Sequence, residues 1–284
     1  MKLLTPKYNK NADIINVVYV PYSACNFRCS YCYMKPYGYE LPLNLDTLKK
    51  TLKILNQIPK LELDFLGGEP TLFDGLVEFV DNLVDREYLT CMVFSNGSKP
   101  EVLGELRCNV SISYHTDYHS KDYLNKVKTT IETRNTHYSG KYLTCVNFVC
   151  HSQNYKIVEE AYNYLKPYNP IFKYLREKFS NLDMKLEGVE EYECYEIDYL
   201  LDGVSLTKEQ KYKMFVENSN FYGCMCKMNN FIIDYKGDIY LNCTKERLGN
   251  VMDSDALSYF KPKLIRCQFQ TCKDCFHQVP KYIQ

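Results

Sequence analysis

Apolar and polar positions along the first 166 residues fall into two alternating patterns. Short apolar runs such as INVVYV, at 15–20, are typical of a strand that is covered on both faces. Longer segments such as NLDTLKKTLKILNQI, at 44–58, place leucines mostly at helical spacing. The predicted strands are 15–20, 61–66, 89–95, 108–115 and 142–151, and the predicted helices are 44–58, 73–85, 100–106, 119–132 and 155–166.

This alternation of strands and helices predicts an α/β fold. Successive strand–helix units imply a parallel sheet with right-handed crossovers, whose active edge lies at the carboxyl ends of the strands. Beyond residue 168 the pattern loosens, and we predict one more strand near 182–187. In the segment 229–243, Lys236 and Gly237 join two apolar runs, which predicts a β-hairpin. We expect a boundary near residue 215.

Charge and cysteine content narrow the classes of function. Lys and Arg together number 35, and so do Asp and Glu, so no overall field favours a polyanion such as nucleic acid. The amino terminus lacks the apolar core of a secretory signal, and its longest apolar run is far below the ~18 residues of a membrane span. We therefore expect a cytoplasmic protein with no nucleic-acid or membrane partner. In that compartment, many of the 14 Cys residues suggest metal binding or catalysis before disulfides.

The segment CNFRCSYCY follows the first predicted strand and carries the strongest chemical signal. It places Cys25, Cys29 and Cys32 at spacings of four and three, one thiol short of a four-ligand metal site. Soft thiolates suit iron–sulfur clusters, and three ligands on a four-iron cube leave one iron open to an exogenous ligand. On spacing alone, the alternative is a structural zinc site that takes its fourth ligand from elsewhere.

CNFRCSYCY matches the CxxxCxφC motif of the radical S-adenosylmethionine (SAM) superfamily, with Tyr31 as the aromatic residue φ. The chain thus resembles that family. The resemblance implies a partial (β/α)6 barrel and a [4Fe–4S] cluster whose open iron is chelated by SAM. FLGGEP, at 65–70, resembles the family segment that meets the methionine amino group. There Gly67 and Gly68 allow close backbone approach, and Glu69 offers an acceptor to the ammonium.

Other strand ends supply further positions that the resemblance implies as cofactor contacts. FSNGS, at 94–98, resembles the family's (S/T)NG(T/S) turn and contributes Ser95 and Asn96. Ser113 lies where many relatives carry a Ser near the ribose, and Asn147 is a candidate for a ribose or carboxylate contact. Both could equally be ordinary hydrogen-bonded polar groups.

A second group of cysteines lies in the last quarter of the chain. The predicted metal ligands in it are Cys226, Cys243, Cys272 and Cys275. One pair flanks the predicted hairpin and the other forms a CxxC, so the two pairs can converge on one cube or one zinc. Together with LGNVMD, at 248–253, they resemble the truncated SPASM domain called twitch, which implies one auxiliary [4Fe–4S] cluster. Cys224 or Cys267 could replace a neighbouring ligand, and a zinc ribbon-like site is the alternative.

Two smaller sets of residues have weaker chemical interpretations. His115 and His119 are four residues apart, but no HExxH motif accompanies them, so we expect a strand-end polar group and a helix N-terminal residue. Cys150, Cys194 or Cys224 could donate a hydrogen atom to a substrate radical, a hypothesis that the surplus of thiols motivates. The strand cysteines Cys91 and Cys145 are expected in the core.

The resemblance predicts a radical SAM partial barrel at 1–167, a barrel end and linker at 168–215 and a twitch iron–sulfur domain at 216–284. In such an enzyme, reductive cleavage of SAM yields methionine and a 5′-deoxyadenosyl radical that abstracts hydrogen from a substrate. We favour a peptide or protein side chain as substrate and a flavodoxin or ferredoxin as electron donor. The alternatives are a small-molecule dehydrogenase, a glycyl-radical-enzyme activase and a zinc-binding scaffold. About 14 residues precede the first predicted strand, so we expect no fused leader-peptide recognition domain.

Overall fold

The computed structural model describes residues 3–6, 14–29, 32, 43–84, 89–150, 154–176, 199–201, 204–205, 207, 225–242 and 244–266. Its α-helices are α1 (Leu45–Leu55), α2 (Leu76–Val84), α3 (Pro100–Glu105), α4 (Lys121–Tyr138) and α5 (Tyr155–Leu165). The first seven strands are β1 (Leu3–Pro6), β2 (Ile15–Tyr19), β3 (Leu61–Phe65), β4 (Leu89–Ser95), β5 (Asn109–Tyr114), β6 (Thr144–Cys150) and β7 (Ile171–Arg176). The others are β8 (Tyr199–Leu201), β9 (Val204–Ser205), β10 (Met225–Met228), β11 (Asn230–Ile233), β12 (Asp238–Leu241), β13 (Arg247–Asn250) and β14 (Lys263–Arg266).

A nine-stranded sheet with the order β13-β12-β11-β2-β3-β4-β5-β6-β7 forms the centre of the protein. Strands β2 to β7 lie side by side in chain order, all parallel, with one α-helix in each crossover. This confirms the predicted α/β fold with a mostly parallel sheet. The carboxyl ends of these strands lie at the same edge of the sheet, where the loops after each strand meet.

The helices pack on one face of this sheet. Along β3, Leu61, Leu63 and Phe65 are buried in a core that they share with residues of all five helices. Glu62 and Asp64 alternate with them and are partly exposed, because successive strand residues point to opposite faces. We call this second side of the sheet the polar face. The paired strand residues that carry polar side chains on it include Asn16, Glu62, Asp64, Ser111, Ser113 and Asn147.

A buried arginine ties α4 to the start of the parallel strands. Arg134 is 1% exposed, and its Nη1 donates to the carbonyl oxygens of Leu103 and Leu106 at 2.9 and 2.8 Å. Its Nη2 donates to the carbonyl oxygen of Cys108, and its Nε donates to Thr144 Oγ1 at 2.9 Å. Burial lowers the pKa of this guanidinium. The four hydrogen bonds compensate for taking a charged group out of water, since an unpaired buried charge is strongly destabilising.

The predicted elements up to residue 166 are all present, although α4 extends to Tyr138 rather than ending at 132. The structure adds β7 at Ile171–Arg176, which the sequence analysis missed. The strand predicted near 182–187 lies outside the described residues. No helix among the described residues is long and apolar enough to cross a membrane.

The predicted hairpin forms as β11 and β12, and Gly237 takes a positive φ of 79° at its turn. The sequence did not predict where this hairpin lies in the fold. Strand β11 pairs in parallel with β2, so the hairpin and β13 continue the central sheet. The chain changes sheets at Asn229, because β10 pairs instead with β1 and β14 in a five-stranded sheet of order β14-β10-β1-β8-β9.

Candidate functional site

The cysteine loop, which we define as residues 23–32, follows β2 at the carboxyl edge of the sheet. Cys29 is buried, whereas Cys25 and Cys32 are partly exposed, and all three are free thiols. The backbone N–H of Cys32 donates to the carbonyl oxygen of Cys29 at 3.2 Å. Tyr31 lies outside the described residues, so its role stays a prediction.

The environment of Cys25 and of Cys29 disfavours the ionised thiolate. Burial raises the pKa of Cys25. Burial, together with the neighbouring Cys25 and Cys32, raises the pKa of Cys29 to about 12. A metal centre binds thiolates and releases their protons, so its positive charge would favour the ionised form of Cys25 and Cys29.

The GGEP turn, residues 67–70, packs directly against the start of the cysteine loop. The N–H of Gly68 donates to Tyr22 O at 3.2 Å, and the N–H of Glu69 donates to Ala24 O at 2.8 Å. The Tyr22 hydroxyl donates back to the carbonyl oxygens of Glu69 and Pro70 at 2.9 and 2.8 Å. A Cβ on Gly68 would lie 2.0 Å from Ala24 O. Only glycine allows the two segments to approach this closely.

The carboxylate of Glu69 is completely buried between two turns. Its Oε1 accepts hydrogen bonds from Thr71 N, Thr71 Oγ1 and Ser95 Oγ at 3.0, 2.6 and 2.7 Å. Its Oε2 accepts one from Asn96 N at 2.6 Å. Burial raises the pKa of Glu69, and these hydrogen bonds oppose that rise. The side chain therefore joins the GGEP turn to the end of β4, and its carboxylate is closed to solvent.

The SNGS turn, residues 95–98, follows β4 and reaches over to the cysteine loop. Asn96 is 4% exposed, and its Nδ2 donates to Asn26 Oδ1 at 2.8 Å and lies 4.0 Å from Cys25 Sγ. Its Oδ1 accepts from Ser98 N at 2.9 Å. Gly97 has a φ of 73°, a left-handed conformation that favours glycine. Three turns that the sequence predicted separately thus form one hydrogen-bonded unit.

Aromatic side chains close the other side of the cysteine loop. Phe27 stacks on Tyr118 with ring centroids 3.8 Å apart, and its ring meets Tyr123 edge-on at 5.6 Å. The Tyr123 hydroxyl donates to the carbonyl oxygen of Asn96 at 2.6 Å. The ring of His115 lies 5.9 Å from Phe27, and burial lowers its pKa to about 4, so it is neutral at pH 7. These rings shield the loop from water on the β5 side.

Sequence analysis missed several of the residues that organise this site. Tyr22, Asn26, Thr71 and Tyr123 all bond across it, but none belongs to a metal-ligand or nucleophile pattern. The local signal is their position: Tyr22 immediately precedes the cysteine loop, Asn26 lies within it, and Thr71 directly follows the GGEP turn. His119, the other histidine of the predicted pair, bonds through Nδ1 to the Tyr114 hydroxyl at 2.7 Å.

The two remaining cofactor candidates lie next to each other on the polar face. Ser113 on β5 is the register partner of Asn147 on β6. Asn147 is 8% exposed, and its Nδ2 donates to Ser111 Oγ at 2.5 Å. In the described part of the chain its Oδ1 accepts no hydrogen bond, which leaves a buried acceptor facing this side of the sheet.

The second group of cysteines is mostly outside the described residues. The members outside the described residues are Cys224, Cys243, Cys267, Cys272 and Cys275, and the hydrogen-donor candidate Cys194 also lies outside them. The backbones of Cys226 and Cys150 lie in β10 and at the end of β6. Both the auxiliary ligand set and the hydrogen-donor hypothesis therefore stay predictions. Cys91 and Cys145 are both buried; Cys91 belongs to the hydrophobic core, as expected, whereas Cys145 lies on the polar face as the register partner of Ser111.

The donor set of the cysteine loop fits a four-iron cube. Each thiolate of such a cube binds a different iron, so its ligands need not meet at one point. Among the described residues, no three His, Cys, Asp or Glu side chains converge closely enough to hold a single metal ion. Three soft thiols on one loop, backed by aromatic rings and hydrogen-bonded turns, match what an iron–sulfur cluster needs.

Known proteins resemble this chain in sequence and in fold. Residues 19–142 match the model of the radical SAM superfamily, a segment that contains all three turns. A curated relative, the 7-carboxy-7-deazaguanine synthase of Clostridium acetobutylicum, is 30% identical over 82 residues. That match covers 28% of this chain and 37% of the relative, so the chain aligns with little more than a third of that protein.

Solved structures extend the likeness of fold over most of the chain. The structure described as anSMEcpe with bound AdoMet and Cp18Cys peptide matches with a TM-score of 0.51 and 19% identity, and covers 87% of this chain and 80% of its own. The structure of Streptococcus suis SuiB bound to S-adenosylmethionine matches with a TM-score of 0.54 and 14% identity. This match covers 89% of this chain and 68% of the SuiB chain. At these identities the likeness concerns the fold. Residues 19–142 thus resemble the radical SAM superfamily in sequence, and the fold of the chain resembles that of these two structures.

Proposed function

We propose that this protein is a radical SAM enzyme that modifies a peptide or protein side chain. One observation carries the proposal. The cysteine loop, the GGEP turn and the SNGS turn form a single hydrogen-bonded unit at the carboxyl edge of a parallel sheet, where α/β proteins bind their ligands. When bound there, a [4Fe–4S] cluster and SAM would supply a one-electron reductive cleavage to methionine and a 5′-deoxyadenosyl radical, which takes a hydrogen atom from the substrate.

The residues of this chain would hold and orient these groups. Cys25, Cys29 and Cys32 would each bind one iron through Sγ and leave the fourth iron to the amino and carboxylate groups of SAM. Gly67 and Gly68 would bring the backbone of the GGEP turn beside the methionine moiety. Glu69 has no exposed surface, so it would act by fixing that turn rather than by meeting the ammonium directly.

The polar face of the sheet is the proposed place for the rest of SAM and for the substrate. Ser113 and Asn147 lie on it at the carboxyl half of β5 and β6. Asn147 Oδ1 is buried and has no hydrogen-bond partner among the described residues, so it would accept from a ribose hydroxyl only if ligand binding exposed it. Phe27 and the tyrosines behind it would exclude water from the cluster. An external one-electron donor, a flavodoxin or a ferredoxin, would supply the electron.

The choice of substrate class is supported by the relatives. The anSMEcpe structure is described with a bound peptide, and a structure of SuiB is described as bound to its precursor peptide SuiA at a TM-score of 0.53. We extend this to a peptide or protein substrate here. An auxiliary [4Fe–4S] cluster on Cys226, Cys243, Cys272 and Cys275 remains part of the proposal, as do Cys150, Cys194 and Cys224 as hydrogen-atom donors.

Anaerobic reconstitution tests the proposed function. The expected result is about eight irons per chain if both clusters form, or about four if only the first does. Dithionite and SAM should then yield 5′-deoxyadenosine. The triple variant Cys25→Ala/Cys29→Ala/Cys32→Ala should lose the nucleoside product. Bound zinc with no nucleoside product from the wild type would overturn the proposal in favour of a zinc-binding scaffold.

A further inference from the structure

Asn96 occupies a central position among the three turns. Its backbone N–H donates to Glu69 Oε2 at 2.6 Å, and its carbonyl oxygen accepts from the Tyr123 hydroxyl at 2.6 Å. Its side-chain Oδ1 accepts from Ser98 N at 2.9 Å. These contacts fix both the backbone and the rotation of the amide group. The remaining amino group, Nδ2, consequently has only one direction in which to point.

That direction is toward the cysteine loop. One N–H of Nδ2 donates to Asn26 Oδ1 at 2.8 Å, and the same nitrogen lies 4.0 Å from Cys25 Sγ. The sulfur also accepts from the backbone N–H of Phe27 at 3.3 Å. Asn26 in turn donates to Ser98 Oγ at 2.9 Å, so loop and turn are joined twice. Cys25 is the only one of the three thiols for which the described contacts include a donor from outside its own loop.

We propose that Asn96 is a positioning residue for the iron–sulfur cluster. Its amide holds the amino-terminal half of the cysteine loop in place and donates an N–H to the sulfur of Cys25. Hydrogen bonds to cluster sulfurs stabilise the added negative charge of the reduced state and so raise the reduction potential. This inference rests on the proposed function, because it needs a cluster on Cys25.

The structure explains why an amide is suited to this position. Asn96 is 4% exposed, so a hydrogen bond from it is not weakened by competing water. An amide carries both an acceptor, which Ser98 N–H uses, and two donors, which the cysteine loop uses. An aspartate of the same shape would keep the acceptor but lose both donors, and it would bring a negative charge close to Cys25.

The test compares two variants of Asn96 with a control in the same turn. Asn96→Ala removes the amide, and Asn96→Asp keeps its shape without its donors. Ser98→Ala removes the Asn26–Ser98 bond and leaves every contact of Asn96 intact. Each protein is reconstituted anaerobically, its iron is counted, and the cluster is titrated potentiometrically by electron paramagnetic resonance. The signal that changes on addition of SAM identifies the cluster on Cys25.

Both Asn96 variants should have a more negative midpoint potential than the wild type, with Asn96→Asp the lower of the two. A tenfold fall in the reduced-to-oxidised ratio at fixed potential would correspond to about 59 mV for a one-electron couple. Ser98→Ala removes one of the two links between loop and turn but keeps the amide of Asn96, so it should shift the potential less than either Asn96 variant. Loss of the cluster from both Asn96 variants, with unchanged circular dichroism, would also support the proposal, since it would show that the amide holds the loop.

Two outcomes would overturn the inference, and they are distinguishable. Full iron content with unchanged potential and line shape in the Asn96 variants would show that Asn96 does not act on the cluster, while the proposed function stands. A wild type that binds no iron would remove the proposed function and this inference with it. Should Asn96→Ala fail to fold, Asn96→Asp alone decides the matter, because it preserves the size and the acceptor of the side chain.

Discussion

The buried carboxylate of Glu69 gives the sharpest test of how the site is held together. We expect Glu69→Gln to destabilise the protein although the two side chains have nearly the same shape. The best placement of glutamine keeps its Oε1 toward the donors from Thr71 and Ser95 and turns its amino group toward Asn96 N. A charge-assisted hydrogen bond of 2.6 Å is then replaced by two donors that face each other.

The magnitude follows from these contacts. A hydrogen bond to a charged group contributes about 1.5–3 kcal/mol, and an unsatisfied buried donor costs about 1–3 kcal/mol. Relaxation of the turn recovers part of the sum, so the expected loss in the free energy of unfolding is roughly 2–4 kcal/mol. We also expect weaker retention of iron, because Glu69 links the SNGS turn to the turn beside the cysteine loop.

Urea unfolding of the reduced, cluster-free protein, followed by circular dichroism, measures the effect. Glu78→Gln is the matched control, since Glu78 is exposed in the first turn of α2 and should change stability by no more than about 0.5 kcal/mol. Equal stabilities of the wild type and Glu69→Gln, with the same iron content after reconstitution, would refute the reasoning. That result would mean that the buried hydrogen bonds to Glu69 do not hold the two turns together.

Three further perturbations test other parts of the structure. The Gly68→Ala variant should bind less iron and lose about 1–3 kcal/mol of stability, because the added Cβ would overpack against Ala24 O. In the control variant Gly140→Ala, the added Cβ meets no atom within 4 Å, so this protein should keep its iron. Equal iron content in the two variants would contradict the close approach at Gly68. Arg134→Met should lower stability in urea by roughly 3 kcal/mol, because it removes the side-chain donor to three carbonyl oxygens, and a loss under about 1 kcal/mol would count against that role. Burial lowers the pKa of His115 from 6.5 to about 4, so the unfolded chain takes up this proton first, and stability should fall as the pH drops from about 6.5 to 4. In the His115→Asn variant, the fall in the free energy of unfolding between about pH 6.5 and 4 should be smaller by at most roughly 3 kcal/mol. An identical pH profile in the variant would argue against a buried neutral His115.

The sequence by itself determined the parallel αβ core, because local periodicity reports directly on burial. The strand at 61–66 alternates buried and partly exposed residues and is followed by a helix with one apolar face. Such patterns can be recognised without knowing which strand is the partner. The three glycine- or cysteine-containing turns were found through their resemblance to radical SAM motifs, whose glycines and cysteines few other residue types can replace.

The sequence did not reveal the strand β7, because IFKYLR carries two basic residues and has a weak strand pattern. It predicted the hairpin but not its place, since Asn230 pairs with Asn16 from the other end of the chain. Pairing between strands so far apart depends on the assembled sheet and leaves no local signal.

Only the tertiary structure decided how the predicted site residues act on one another. From the sequence, Glu69 was an acceptor for a ligand's ammonium and Asn96 a cofactor contact. In the fold, Glu69 is buried among donors from two turns, and the amide of Asn96 turns toward Asn26 and Cys25. Which partners a polar side chain meets depends on loops that parallel strands bring to the same edge. Residue type and spacing set the available chemistry, and the packing of those loops selects the use that each group has.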